Sequence, residues 1–275
     1  MSGIKALALL FALAAGAAAP RAGAADATLK ADLERVAQRS IYFGHQSVGE
    51  NLLDGVRELA REAGVPLRIA EARSAAALKP GTFGHTFVAE NGDPARKLRS
   101  FEQAMGPRPA PVDIAFVKFC YVDVDAATDS KALFERYRAA IEGLRAKHPG
   151  TTFVHVTLPL TEEQGGAKAL AKRLLGRAPG GTVENVRREE YNALLRRAYA
   201  GREPLFDLAR VESTAPDGST VKARWNGREA PALAAAYTDD GGHLNAAGRL
   251  RAARELVSVL AAIPVRRAQV AEIAR

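Results

Sequence analysis

The sequence predicts an α/β protein built as a three-layer αβα sandwich around a central, mostly parallel five-stranded sheet. Two observations carry this expectation. Short β-type runs alternate with longer stretches of helical periodicity, which is the rhythm of a parallel sheet. Two of the runs, Val112 to Phe119 and Thr152 to Leu158, are almost continuously apolar, as strands are when helices cover both faces of a sheet.

The elements follow in order. Ser40 to Phe43 is the first expected strand, and Leu52, Leu53 and Val56 mark a helix after it. Pro66 to Ala70 is the second strand and Val112 to Phe119 the third. Leu133, Tyr137, Ile141 and Leu144 have helical spacing over Lys131 to Lys147, and His148-Pro149-Gly150 stops that helix before the fourth strand, Thr152 to Leu158. Tyr191, Leu194, Leu195 and Ala198 repeat the pattern ahead of the fifth strand, Pro204 to Leu208. Leu244 to Ala261 closes the domain as a helix. Two insertions break the rhythm, at about 159–181 and 213–238. Asp217-Gly218 and Asn226-Gly227 are tight-turn signals, so the second insertion is expected to hold a small β-hairpin.

Residues 1–24 have the order of a signal peptide: Lys5, an apolar run from Ala6 to Ala19, then the small residues Ala22-Gly23-Ala24. The expectation is an exported protein, periplasmic or secreted, with one domain over 25–275 and no transmembrane segment once the leader is removed. Cys120 is the sole cysteine, so no internal disulfide can form, and its thiol is expected to be buried. The formal charge of +8 falls to +6 without Lys5 and Arg21, which favours anionic polymers without identifying one. Nine Lys/Arg run from Lys168 to Arg202, with only Tyr191 and Tyr199 as aromatics among them and no nucleic-acid module, which argues for a solvated helix face and against nucleic-acid binding. No phosphate-binding glycine loop is present and no cofactor is expected. The five histidines, at 45, 85, 148, 155 and 243, have no metal-ligand spacing, so no metal is expected, and His155, in an apolar strand, is expected to be structural.

The chemistry is concentrated at two places. In Ile41-Tyr42-Phe43-Gly44-His45-Gln46-Ser47-Val48-Gly49 a strand runs into a turn that opens a helix, and Ser47 stands at the strand's carboxyl end. Open α/β sheets bind ligands there, and the helix N-terminus favours developing negative charge. Alone, Ser47 reads rather as an N-cap; the acid and histidine near the other end of the chain change that. Far along the chain, Asp240-Gly241-Gly242-His243 puts an acid three residues before a histidine in a glycine-loosened turn. A serine hydroxyl becomes a useful nucleophile when an imidazole takes its proton, and the imidazole needs an acid to fix its tautomer. Asp239 is the alternative acid.

The stretch Asp240-Gly241-Gly242-His243-Leu244-Asn245-Ala246-Ala247-Gly248 resembles the last block of the SGNH hydrolases, also called GDSL-type esterases and lipases. Ser47 matches the family's first block in position, with His45-Gln46-Ser47 in place of Gly-Asp-Ser; Glu90-Asn91-Gly92-Asp93 resembles the second. The third block departs: Cys120-Tyr121-Val122-Asp123 stands where the family has Gly-x-Asn-Asp, so the oxyanion asparagine is missing. The resemblance implies an SGNH/flavodoxin-like fold, a triad of Ser47, Asp240 and His243, and an oxyanion hole from the amides of Ser47 and Gly92. Asn51, Asn91, Tyr121 and Lys118 are candidates for the absent donor. His45 either lines the substrate pocket or is a satisfied loop histidine, and Trp225 either stacks on a sugar or packs.

The expected function is therefore a serine esterase removing O-acyl groups, foremost acetyl, from a small molecule or a polysaccharide. Two alternatives stay open: a non-catalytic polysaccharide-binding module, and a polysaccharide O-acetyltransferase. An α/β-hydrolase elbow is disfavoured, because Ser47 follows the first strand and its acid and base share one loop. A Cys120/His243 nucleophile pair is a lesser alternative.

Overall fold

The computed structural model describes residues 22–265. Most of the expected leader lies outside them; its last three residues open the first helix.

The chain runs α1 (Ala22–Ala37), β1 (Ile41–His45), α2 (Ser47–Glu62), β2 (Arg68–Glu71), β3 (Thr82–Phe87), α3 (Pro94–Met105), β4 (Ile114–Val117), α4 (Ser130–Lys147), β5 (Thr152–Phe153), β6 (His155–Val156), α5 (Gly166–Leu174), α6 (Thr182–Tyr199), β7 (Leu205–Phe206), α7 (Leu208–Ser213), β8 (Lys222–Trp225), β9 (Arg228–Pro231) and α8 (Ala246–Ala261). The central sheet has five strands in the order β2-β3-β1-β4-β5, and every pairing in it is parallel. Period-two alternation sends its side chains into two cores. Ile41, Phe43, Phe83, Ile114 and Phe116 meet α2 and α8 on one face. Tyr42, Ala115 and Val117 meet residues of α3, α4 and α6 on the other. This is the three-layer sandwich that the sequence predicts.

The membership of the sheet needs one correction. The expected fifth strand, Pro204 to Leu208, contributes only Leu205–Phe206, which pairs with β6 outside the five-stranded sheet. The fifth place belongs to β3, which the sequence reading left out. Its glycine is required: a Cβ on Gly84 would lie 2.2 Å from Leu78 Cδ1. The insertions also have structure. Residues 159–181 hold α5, and 213–238 hold the antiparallel hairpin β8–β9, turned by Asn226 (φ 48°) and Gly227 (φ 73°), the consecutive positive φ values of a type I′ turn. No helix among the described residues is long and apolar enough to cross a membrane.

His155 is fully buried. Its ring stacks on Tyr199 at 3.5 Å, the Tyr137 hydroxyl donates to Nδ1 at 2.8 Å, and Nε2–H faces Glu203 Oε2 at 3.0 Å. Glu203 also pairs with Arg145, which offsets its charge. Burial, reinforced by Arg145, pushes the His155 pKa down to about 3, so the fold holds the imidazole neutral. The stability this contributes is complete above the unfolded value near 6.5 and is lost as pH falls from there towards 3. We expect the urea midpoint to fall over that window. His155→Gln should flatten the slope, and an unchanged slope would refute this assignment.

Candidate active site

The chain moves from β1 to β2 and β3 on one side of the sheet, then crosses to β4 and β5 on the other. The crevice beyond the carboxyl ends of β1 and β4 is therefore the topological switch point, where open α/β sheets bind ligands. Ser47 follows β1 there and Tyr121 follows β4.

Ser47 is the first residue of α2, and Gln46, not Ser47, occupies the N-cap position. The Ser47 hydroxyl is thus free of a capping role. Gln46 anchors the turn sideways, its Nε2 donating to the carbonyls of Val88 and, at 3.2 Å, Ala89. The Ser47 amide, at the first helical position, has no preceding helical turn to supply an acceptor.

His243 Nε2 lies 3.0 Å from Ser47 Oγ, across a separation of 196 residues. His243 Nδ1 lies 2.6 Å from Asp240 Oδ2. Asp240 Oδ1 in turn accepts from the amides of Gly242 at 2.9 Å and His243 at 2.8 Å. These hydrogen bonds, the one to the His243 side chain first, hold the Asp240 carboxyl well below the usual carboxylate range. Asp239, the alternative acid, instead accepts from Asn245 Nδ2 at 3.3 Å. The loop is pinned to α2 by Asn51, whose Oδ1 accepts from the Leu244 amide at 3.2 Å. Asn245 caps α8 by accepting from Gly248. The conspicuous Asp-x-x-His-x-Asn spacing therefore combines an imidazole, the carboxylate that orients it and a helix cap.

The expected oxyanion donors fare unequally. The Gly92 amide is a correction: it donates to Asp123 Oδ1 at 2.8 Å, so it is already engaged. Lys118 is fully buried, with Nζ donating to Phe119 O at 2.9 Å. Asn91 is exposed and its Oδ1 accepts from Lys97 Nζ at 2.6 Å. Tyr121 is the candidate beside the triad. Its ring stands edge-on to His243 at 5.7 Å, and a Cβ on Gly242 would lie 2.7 Å from its Cζ, so only glycine allows the two loops to close on each other. Burial raises the Tyr121 pKa, which keeps its hydroxyl a donor. The turn carrying it is tied to α6 by Arg188 Nε, which donates to Tyr121 O at 3.0 Å.

Asp123 organises the region beneath. Both it and Lys97 have fully buried side chains, paired at 2.6 Å, and Asp123 also accepts from the Cys120 amide at 2.6 Å. The sequence reading missed this pair. Lys97 shares the i, i+4, i+8 face of α3 with the buried Phe101 and Met105, and a cation on that apolar face was the available signal.

His45 is wholly buried and does not line a pocket; its ring lies between Phe43 and Phe87. Trp225 ends β8, half-buried on a hairpin that packs against α6. Cys120 is buried. A cleft of about 660 Å³ opens on the outer side of the Asp240 loop, lined by Glu162, Gln164, Lys172, Glu184, Arg188 and Asp239 among others. Within the basic run from Lys168 to Arg202, Arg173, Arg187 and Arg196 are paired with Glu163, Glu190 and Glu189, while Arg188 is buried.

No family model matches the chain, and no curated protein matches it. Solved structures do resemble it. One is a protein provisionally named a platelet activating factor from Streptococcus pneumonia, at 15% identity and a TM-score of 0.49 over 86% of this chain and 93% of that one. Another is phospholipase A1 from Streptomyces albidoflavus NA297, at 15% identity and 0.39 over 81% and 98%. A third is the OSK domain of Drosophila Oskar, at 14% identity and 0.39 over 80% and 86%. These likenesses concern the course of the backbone and assign no residue a role.

Proposed function

We propose that this chain is an SGNH-type serine ester hydrolase, exported by its leader, that removes acyl groups, foremost acetyl, from a carbohydrate. One observation carries the reading: the unbroken line Asp240 Oδ2, His243 Nδ1, His243 Nε2, Ser47 Oγ, with links of 2.6 and 3.0 Å. In this mechanism Ser47 Oγ attacks the ester carbonyl while its proton passes to His243 Nε2. The oxyanion faces the Ser47 amide at the α2 N-terminus, which favours negative charge. The imidazolium then returns its proton to the departing alkoxide, leaving acyl-Ser47. Water, deprotonated by the same imidazole, attacks the acyl carbon and restores the serine.

Asp240 holds His243 in the tautomer with Nδ1 protonated, so Nε2 is free to accept from Ser47. With Gly92 engaged by Asp123, Tyr121 is the side-chain donor best situated to replace the absent asparagine. Tyr121→Phe keeps the ring that packs on Gly242 and removes only the hydroxyl. We expect it to lower kcat by about 10²–10³-fold, the usual cost of one oxyanion donor, with KM little changed. An unaltered kcat would eliminate Tyr121 from the oxyanion hole.

The carbohydrate preference is supported by the polar and charged lining of the cleft beside the Asp240 loop, which suits hydroxyl-rich ligands better than acyl chains. The test is turnover of p-nitrophenyl acetate by the mature chain and by Ser47→Ala, followed by release of free acetate from an acetylated glycan and of fatty acid from a phospholipid. Serine-dependent acetate release supports the reading. Serine-independent turnover, preference for the phospholipid, or acetate transferred to an acceptor glycan overturns the corresponding part of it.

A further inference from the structure

His45 and His85 lie 40 residues apart and share no sequence motif, but β1 and β3 are neighbours and both rings project to the α2 side of the sheet. His45 Nε2 stands 3.0 Å from His85 Nδ1. Glu50, in the first turn of α2, brings Oε2 to 3.9 Å from His45 Nε2. One ligand atom from each of the three lies within 4.8 Å of the others. Ligand atoms around a tetrahedral zinc, bonded at about 2.0–2.1 Å, are roughly 3.3 Å apart, so the cluster is within small side-chain adjustments of a coordination sphere.

Three further features point inward. His45 Nδ1 faces the Gln46 carbonyl at 2.9 Å, which fixes the proton there and leaves a lone pair on Nε2. Glu50 Oε1 accepts from Arg57 at 2.7 Å, which orients the carboxylate. Its other oxygen, Oε2, is buried with no hydrogen-bond partner, and an unpaired buried carboxylate oxygen is costly. Each feature is what metal ligands normally receive from their surroundings. Gly49 lets the start of α2 approach this closely, since a Cβ there would lie 2.3 Å from the His45 Cβ.

We propose that His45, His85 and Glu50 bind one transition-metal dication of the zinc class, clamping β1, β3 and the start of α2 beneath Ser47. Two imidazoles and one carboxylate suit zinc, cobalt or nickel; magnesium and calcium demand oxygen. At the cluster's edge Glu50 is part-exposed, and Phe87, whose ring lies 5.0 Å from that of His45, is exposed. The metal sits under the nucleophile's helix and takes part in no bond made or broken during ester cleavage. Its existence does not rest on the hydrolase reading.

The test uses the full chain stripped of metal with a chelator, then titrated with Zn²⁺ by calorimetry and with Co²⁺ by visible absorption. We expect one Zn²⁺ per chain and cobalt bands of a four- or five-coordinate nitrogen–oxygen site. Glu50→Gln, at the cluster's edge, and His85→Gln should each weaken Zn²⁺ binding beyond the ~10–100-fold cost of losing an outer-shell partner. His243→Ala should bind as the wild type does. In the wild-type chain Zn²⁺ should also shift the imidazole resonances of His45 and His85 but not of His155, a readout independent of variant folding. Failure of the wild type to take up Zn²⁺, or wild-type affinity in a folded Glu50 or His85 variant, overturns the proposal.

Discussion

Ser47→Ala should lower kcat for p-nitrophenyl acetate by about 10⁴–10⁶-fold, and His243→Ala to a similar extent, because a nucleophile and its base act as one unit. KM should change little, since neither side chain is needed to bind so small an ester. The double variant should be hardly worse than either single one, and that non-additivity separates a coupled pair from two independent contributions. Asp240→Asn should cost less, about 10³–10⁴-fold. The Asp240 side chain is 56% exposed, so water can assume part of its role in orienting the imidazole. If Asp240→Asn and Asp239→Asn had equal effects, the 2.6 Å bond from Asp240 to His243 would not be the one that matters.

Lys97→Met should destabilise the protein by about 3–5 kcal/mol, the cost of removing one partner from a buried ion pair. Asp123 would remain fully buried with its charge uncompensated. Adding Asp123→Leu would be expected to restore much of the loss if the carboxylate served only to balance Lys97. Here it should not, because Asp123 is also the acceptor for the Gly92 and Cys120 amides, and both would be stranded. Urea unfolding of the two variants decides this. Full recovery in the double variant would reduce Asp123 to a charge partner. The same carboxylate explains why the Gly92 amide is engaged away from the oxyanion, so Asp123→Leu should also disturb the loops beside Ser47.

The long periodic elements were legible in the sequence. The spacing of Leu133, Tyr137, Ile141 and Leu144 predicted a helix over Lys131 to Lys147, against Ser130–Lys147 observed. The hairpin followed from Asn226-Gly227, because few pairs tolerate two successive positive φ values. β3 was hidden because Thr82, Gly84 and His85 read as loop residues. They are acceptable in a strand only because Leu78 fills the space above Gly84 and His45 partners His85. The short β7 was mistaken for a full member of the sheet, because apolar character records burial and not which strand lies alongside.

The site divides in the same way. Asp240 and His243 are legible because their relation is local, three residues apart in one loop. The engagement of Gly92 was not, since it depends on a carboxylate 31 residues away on another loop. The His45–His85 contact requires β3 beside β1, so losing the strand also lost the cluster. Of the two readings of His45, two residues before Ser47, the pocket residue gives way to the satisfied histidine: it belongs to the layer beneath because β1 is still extended there and its side chains alternate across the sheet.

Ser47, activated by His243, is the proposed nucleophile. The most direct measurement of this is labelling with a fluorophosphonate, which reacts covalently with activated serines, followed by peptide mass spectrometry. One phosphonyl adduct per chain is expected, on Ser47, and it should disappear in His243→Ala while the fold persists. An adduct on another residue, or an equally fast adduct on Ser47 without His243, would contradict it.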